Sequence, residues 1–444
     1  MDIDEVQSSA LNALLSFTAE NVRSCRDEVH LSLHGTRLAE AGVVRQLSAA
    51  GTAKPIPVLP AAGIFGLNAS GKTAVLEAID DMRVVVSESF RRAGPSSRIF
   101  RRPFLLDDES IKRPSRFEVD LILDNVRWQY GFEVDDHHVL GEYAYYFPHG
   151  RQAKVFHRDG SHIDFGHALR SERATLTRAM RENVLLLSVA SAFGTEALAN
   201  LYTWFETSLV FASSHNRPAR TLLAAKLVES ENTRERLLSL LRYADLGITG
   251  IHRESLPPEE VERLRQAMRL LRGVDEGSES DEQFSVADTI ALAHSTAVGE
   301  AKIPPQDESL GTRVWLGLAG MLLTVLDEGG VMLADELDAS LHPRLVQNVI
   351  ELFQSKRTNP HCAQLIFNSH DTNVLGDSDK RSVGRDQIWF TEKAMDGASS
   401  LYPLKDFSPR QDDSIGRRYL QGRYGALPSL NPADIERAFV ATGR

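Results

Sequence analysis

The sequence predicts an α/β protein in which a helix-flanked, mostly parallel sheet is interrupted by an antiparallel β lobe and a helical insertion. Three observations carry this prediction. The segment GLNASGKT, residues 66–73, lies between a short apolar strand and a run with helical spacing. A second apolar run, VMLAD, ends in the acidic pair Asp335 and Glu336, and a third, AQLIFNS, ends just before His370. Between these two α/β stretches lie short alternating runs of the kind that form an antiparallel meander.

Bulk properties set the frame. At 444 residues the chain exceeds what one core serves, and two or three closely associated lobes are expected. Hydrophobic residues make up 42% and charged residues 25%, which excludes global disorder. The start MDIDEVQSSA lacks a basic-then-apolar leader pattern, and the apolar run from Trp315 to Leu326 is too short for a bilayer, so a cytoplasmic protein without a membrane segment is expected. The only cysteines, Cys25 and Cys362, are too few for a disulfide framework or a four-cysteine zinc site. A formal charge of −11 argues against a surface built throughout for nucleic acid.

In chain order, LLSFTAENVRSCRDEVHLSL alternates in two bursts around a polar turn and predicts a strand pair. PVLPAAGIFG then reads as a strand ending in glycine and KTAVLEAIDDMRVVV as a helix, which places the first half of the core in residues 1–90. RRAGPSSRIFRR gathers Arg91, Arg92, Arg98, Arg101 and Arg102, either a local patch for nucleic acid or a solvated basic loop. From Phe117 the runs FEVDLIL, VRWQYGFEV, LGEYAYYF and KVFHRD, separated by turn residues, predict a meander within residues 91–165.

Helical patterns dominate residues 166–300, the expected helical insertion. In PPEEVERLRQAMRLLR the face Val261, Leu264, Met268 and Leu271 reads as core packing, with Pro258 where a helix start tolerates it. DEGSESDE, residues 275–282, reads as an acidic connector. Residues 301–444 return to α/β order: a helix over 312–326, strand VMLAD, helix PRLVQNVIELF, then strands AQLIFNS and QIWFTE.

The chemistry starts from GLNASGKT, which fits G-x-x-x-x-G-K-[ST], the phosphate-binding loop of P-loop NTPases. Backbone N–H groups of Asn68, Ala69, Ser70 and Gly71 and the following helix N-terminus would cradle phosphate, with Gly66 and Gly71 permitting close approach. Lys72 would reach the β- and γ-phosphates of ATP, and Thr73 would ligate Mg²⁺. The plain alternative is a Gly-rich turn with an exposed lysine. Asp335, at the end of what is expected to be a neighbouring buried strand, suits a Mg²⁺ ligand, and Glu336 suits polarisation of an attacking water. Read blandly, the two acids cap the helix near Pro343. His370 stands where a side chain can contact the γ-phosphate. In ESLGT, Ser309 and Gly311 are small residues at an expected helix N-terminus, a second phosphate site beyond the one the first loop uses. Two anion sites per chain suggest two copies meeting head to tail, each offering ESLGT to the ATP held by the other.

Taken together these motifs resemble the ABC-type ATPase heads of the SMC, RecF and overcoming-lysogenisation-defect group. GLNASGKT is similar to their Walker A, ESLGT to the signature loop, VMLADE to Walker B, LDASLHP to the D-loop and SHDTNVL to the switch-histidine region. FTAENVRSCRDEVHLSL resembles their first strands, which implies that the segment of Asn21, Arg23 and Ser24 lies beside the nucleotide. RPFLLDDES, YADLGI, RDQIWFTEK and YLQGRYGALP extend the resemblance to AAA family ATPases of prokaryotic abortive-infection and antiphage operons. Such operons often pair the ATPase with a small effector, frequently a Toprim-like nuclease, and the resemblance implies a similar partner. The Q-loop glutamine has no evident counterpart. Long heptads and a Cys-x-x-Cys hook are missing, which speaks against a DNA-tethering coiled-coil arm.

The leading expectation is therefore an ATPase that senses and switches in antiphage defence, forming a homodimer or higher homo-oligomer around ATP and Mg²⁺. A RecF-like DNA-binding protein of DNA repair is the alternative. A nuclease in its own right is the third.

Overall fold

The computed structural model describes residues 11–40, 42–92, 94, 97–213, 223–255, 288–376 and 381–425. The strand pair expected at the start is present: β1 (Ala13–Glu20) pairs antiparallel with β2 (Val29–Ser32). After β3 (Arg45–Leu47) and β4 (Ile56–Val58), the fully buried β5 (Ala61–Gly66) runs into the glycine loop and α1 (Lys72–Arg92). A short α2 (Asp108–Lys112) leads to the meander β6 (Ser115–Leu123), β7 (Val126–Val134), β8 (Val139–Tyr146), β9 (Ala153–Asp159) and β10 (His162–Phe165). Asp124 and Asn125 link β6 to β7 with φ of 50° and 60°, the two left-handed positions of a tight hairpin turn. Among the described residues the meander and the first strand pair make one sheet, in the order β10-β9-β8-β7-β6-β1-β2.

Helices α3 (Arg173–Ala179), α4 (Leu186–Ala192) and α5 (Glu196–Thr203) follow, then β11 (Leu209–Ala212) and α6 (Glu231–Tyr243). The buried Glu142 of β8 fastens the meander to α4. Its carboxylate accepts from Leu186 N (2.6 Å), Leu187 N (3.0 Å) and the Tyr130 hydroxyl (3.1 Å), and lies 3.8 Å from Arg158.

Residues 166–300 are not helical throughout. β11 joins the central sheet, and β12 (Ile248–Ser255), β13 (Asp288–Thr296) and β14 (Gly299–Ile303) form a separate antiparallel sheet. The run IALA in β13 has helix-favouring composition. Pairing on both sides and burial of Ile290 and Leu292 against neighbouring helices override that local preference. The helix expected over residues 257–272, the acidic connector 275–282, the first ten residues and the chain beyond Gly425 lie outside the described residues.

The last third contains α7 (Leu310–Glu328), β15 (Val331–Ala334), α8 (Pro343–Gln354), β16 (Gln364–Asn368), β17 (Ile388–Lys393), β18 (Ser399–Pro403) and α9 (Ile415–Leu420). Ser309 caps α7 by accepting from Thr312 N, and Gly329, at φ 76°, ends it. At 19 residues α7 is longer than the apolar run that marks it, and is long and apolar enough to cross a bilayer by length and composition. Its apolar side chains, including Trp315, Leu316, Leu322 and Val325, are buried in the protein core instead.

The central sheet runs β11-β15-β16-β5-β17-β18, parallel except for the antiparallel edge strand β18. Alternate residues of each strand face opposite sides. Ile64, Leu333 and Ile366 face the antiparallel sheet with α1, α4 and α5, whereas Phe65, Met332 and Phe367 face α7 and α8. Each fully buried Leu, Ile or Phe on these faces contributes about 1.5–3 kcal/mol, so the sheet is a rigid platform. This arrangement is the expected α/β fold, a mostly parallel sheet with the glycine loop at the C-terminal end of a central strand. One expectation needs correction: β15, which leads into Asp335, is not adjacent to β5, because β16 lies between them.

Candidate nucleotide site

The C-terminal ends of β5, β15, β16 and β17 converge on one cleft of about 750 Å³, within the size range of small-molecule sites. Its floor is the loop after β5. Gly71 has φ 105°, and a Cβ there would collide with the Ser399 side chain and lie 3.0 Å from Ser24 Oγ, so only glycine fits. Gly66 is likewise pressed against Thr391. Ser70 is buried beneath the loop, donating to Leu67 O at 2.9 Å and sharing a 2.6 Å hydrogen bond with Thr391 Oγ1, which staples the loop to β17.

Lys72 opens α1 and folds back over the loop, its Nζ donating to the carbonyls of Gly66 and Leu67 at 2.8 Å each. Burial lowers its pKa to about 8, against the opposing pull of the Asp338, Glu336 and Asp335 carboxylates. A lysine whose charge is held mainly by loop carbonyls is short of an anion, and the cleft in front of it can receive one.

Opposite stands the acidic pair. Asp335 Oδ1 accepts from Thr73 Oγ1 at 2.7 Å and from Asn368 Nδ2 at 2.6 Å. Glu336 takes a left-handed backbone, φ 52°, and its N–H donates to Asn368 Oδ1 at 2.5 Å. Asn368 is fully buried at the end of β16, between the strand of the glycine loop and the strand of the acids, and holds both acidic residues with one amide. His370 is exposed on the cleft wall, its backbone N–H donating to the Asp338 carboxylate at 3.2 and 3.3 Å.

Of the residues singled out in the sequence, Ser24, Asn68, Ala69, Gly71, Lys72, Thr73, Glu336 and His370 line the cleft. Gly66 and Ser70 support it from below, and Asp335 stands behind Thr73. Asn21 and Arg23 are not brought to it: the buried Asn21 amide donates to the carbonyls of Ser110, Arg113 and Pro114, while Asp81 accepts the Arg23 guanidinium at 2.6 and 2.9 Å, Glu77 pairs with it as well, and both acceptors sit on α1. Ser309 and Gly311 are also elsewhere, at the start of α7, where the Ser309 hydroxyl is taken up by Thr312. Leu67 of the glycine loop, Asn368 and Lys393 also line the cleft and were not singled out in the sequence. Asn368 had a signal, a polar residue closing a buried apolar strand, which needs a partner. Lys393, at the end of β17, had none.

Among the described residues no group of three or more His, Cys, Asp or Glu side chains is placed to hold a metal ion. The oxygen pair Thr73 and Asp335 is instead the kind of partial set that Mg²⁺ takes together with phosphate oxygens.

No curated protein matches the chain. Solved structures similar to it include the SmcHead bound to the C-winged helix domain of ScpA, at 14% identity and TM-score 0.42, covering 89% of this chain and 99% of that one. The SMC head domain from Thermotoga maritima is similar at 12% identity and TM-score 0.38, covering 88% and 98%. The recombination mediator protein RecF bound to ATP is similar at 13% identity and TM-score 0.36, covering 90% and 100%. The family described as "AAA domain, putative AbiEii toxin, Type IV TA system" matches residues 61–376, well over half of the chain and the whole span from β5 to His370. The chain belongs to this AAA family.

Proposed function

We propose that the chain binds and hydrolyses ATP as a switch in cytoplasmic antiphage defence, pairing with a second copy around the nucleotide and controlling a separate toxic effector. The observation that carries the proposal is the network Thr73–Asp335–Asn368–Glu336, which holds a hydroxyl suited to a cation, a carboxylate and a candidate base at one end of a nucleotide-sized cleft. The residues fit ATP and Mg²⁺: the glycine cradle admits no side chain, Lys72 is partnered by loop carbonyls, and Thr73 and Asp335 supply hard oxygens.

When bound, Mg²⁺ would supply positive charge that offsets the charge of the phosphates. Thr73 and Asp335 would hold it, and Lys72 would balance charge on the terminal phosphates. Glu336 would accept a proton from the attacking water, and His370 would donate to the terminal phosphate. Ser24 and Lys393 would shape the opposite wall. Ser309 and Gly311 stand apart from this chain's own cleft, which supports their use on the nucleotide held by a second copy.

The defence role draws on the family's description as toxin and Type IV TA system. A small effector, a Toprim-like nuclease, is proposed from the resemblance to abortive-infection operons. The DNA-binding alternative would draw on the arginines between 91 and 102. Those charges are largely engaged within the chain: Arg91 pairs with Glu206, Arg92 with Glu88 and Arg101 with Asp136, and Arg102 lies over Phe100. The deciding experiment is ATP turnover by the purified chain and by Lys72→Ala, with sizing of Glu336→Gln with and without ATP. Turnover lost in the first variant and an ATP-dependent dimer in the second are expected. An unchanged monomer would overturn the dimer, and turnover that survives Lys72→Ala would overturn the site.

A further inference from the structure

The loop carrying Ser309 is tied to the small sheet that interrupts the core. β14 ends at Ile303 and passes through Pro304 and a single 3-10 turn, Pro305–Asp307, straight into Glu308 and Ser309. Glu308 turns its side chain back, away from the exposed serine beside it. Its Oε1 lies 2.6 Å from Nε2 of His294 on β13, and only 8% of its side chain is exposed.

The helix behind the loop is fastened to the same lobe twice more. Trp315 Nε1 donates to Leu240 O of α6 at 2.8 Å, near the start of α7. Near its end, Asp327 accepts both guanidinium nitrogens of Arg236 at 2.7 Å each. Between these points Leu237 and Leu241 of α6, with Ile251, Ile290 and Leu292 of the small sheet, belong to one buried cluster with Trp315 and Leu316. Packed side chains at close to crystal density do not slide independently, so α6, β12–β14 and α7 form one body with Ser309 at its tip.

We propose that this body aims the ESLGT loop at the nucleotide of a second copy, with His294 and Glu308 as positioning residues. The inference rests on the reading that the loop acts on a neighbour's ATP. Neither residue touches this chain's own cleft, so each matters to turnover only through the loop it holds. Anything that shifts β13 relative to α7 would then alter hydrolysis in the adjoining copy without altering how tightly either copy holds ATP.

Mixing experiments separate this role from general destabilisation. Glu308→Ala and, independently, His294→Ala are expected to lower turnover ten- to hundredfold, on the order of what small misplacements cost. Affinity for ATP is expected to stay within about twofold, on the general ground that removing contacts made only in the transition state leaves ground-state binding intact. Glu308→Gln, which keeps a hydrogen-bonding group facing His294, should restore part of the loss.

The distinctive result is partner dependence. Glu308→Ala mixed with Lys72→Ala contains one composite site with an intact loop and an intact lysine, and should regain activity. Mixed with Ser309→Arg it contains none, and should not. Lys72→Ala with Ser309→Arg is the control for sharing itself. Recovery in that control together with wild-type turnover of Glu308→Ala would overturn the positioning role alone. Absence of recovery in the control, with mixed dimers confirmed, would overturn sharing between copies and this proposal with it. Equal rescue of Glu308→Ala by both partners would also overturn it, and the unfolding midpoint of each variant shows whether a loss reflects folding.

Discussion

The hydroxyl of Thr73 donates a 2.7 Å hydrogen bond to Asp335, 262 positions further along the chain. One residue lies in the first turn of the helix after the glycine loop and the other follows β15, so the bond closes the site across an intervening strand. Asp335→Asn should weaken ATP binding at least about tenfold in Mg²⁺ yet leave binding in EDTA nearly unchanged, because the carboxylate acts through the cation. Binding titrations with a fluorescent nucleotide, with and without Mg²⁺, check this. Equal weakening in both media would show that Asp335 serves the loop and not a metal.

Asn368 holds both acidic residues, and Glu336 sits in a left-handed backbone that costs of the order of 1–3 kcal/mol unless its surroundings enforce it. Asn368→Ala releases that constraint. Turnover should fall about ten- to hundredfold, while the nucleotide dissociation constant moves less than about threefold. Asn368→Asp should be worse, since a second carboxylate would face Asp335. Steady-state kinetics beside equilibrium binding separates the two effects.

Lys72 has its pKa lowered by burial from 10.5 to about 8, and a bound phosphate would favour the charged form and raise it again. Binding above pH 8 should therefore take up a proton. Affinity should fall as pH rises from 8 toward 10.5, by at most about tenfold per pH unit. Without nucleotide the sign reverses: the unfolded lysine binds more protons in that window, so stability should rise with pH across it. Calorimetry at pH 8.5 in buffers of different ionisation enthalpy measures the uptake. Lys72→Arg, which stays charged, should show none.

Burial raises the pKa of Glu142, while Arg158 and the N–H groups of Leu187 and Leu186 work in the opposite direction and keep it from rising further. Glu142→Ala would leave the Tyr130 hydroxyl and two helix-start N–H groups unpaired inside the protein and remove the carboxylate that faces the buried charge of Arg158. A loss of about 3–5 kcal/mol is expected from breaking a buried pair on one side. Urea denaturation checks the value, and nucleotide affinity of the remaining folded protein should be unchanged, because Glu142 lies outside the cleft.

Much of this was legible because local periodicity and local function coincide. β5 and α1 flank a loop whose glycines are required by backbone geometry, so order and chemistry appear in one short string. The acids after β15 were visible for the same reason. Strand order was not, since nothing in AQLIFNS says that β16 inserts between β5 and β15, and the role of Asn368 depends on that insertion. Arg23 failed differently: its neighbour Ser24 does reach the cleft, but the left-handed turn at Arg23 and the carboxylates of Glu77 and Asp81 direct the guanidinium to α1. Strand β13 was obscured by the alanines of IALA, whose helix preference yields to pairing.

The stapling of the glycine loop to Thr391, and its close packing against Ser399, bear on how the protein comes into being. The loop leaves the ribosome more than three hundred residues before the strands that shape it, so a nascent chain carries the phosphate motif without its scaffold. Pairing across such a separation is among the slow events of folding. Nucleotide responsiveness should therefore arrive late and all at once, when β16, β17 and β18 close the sheet. A partly made chain would then lack a finished nucleotide cleft, which makes completion of its own synthesis the first condition of its function.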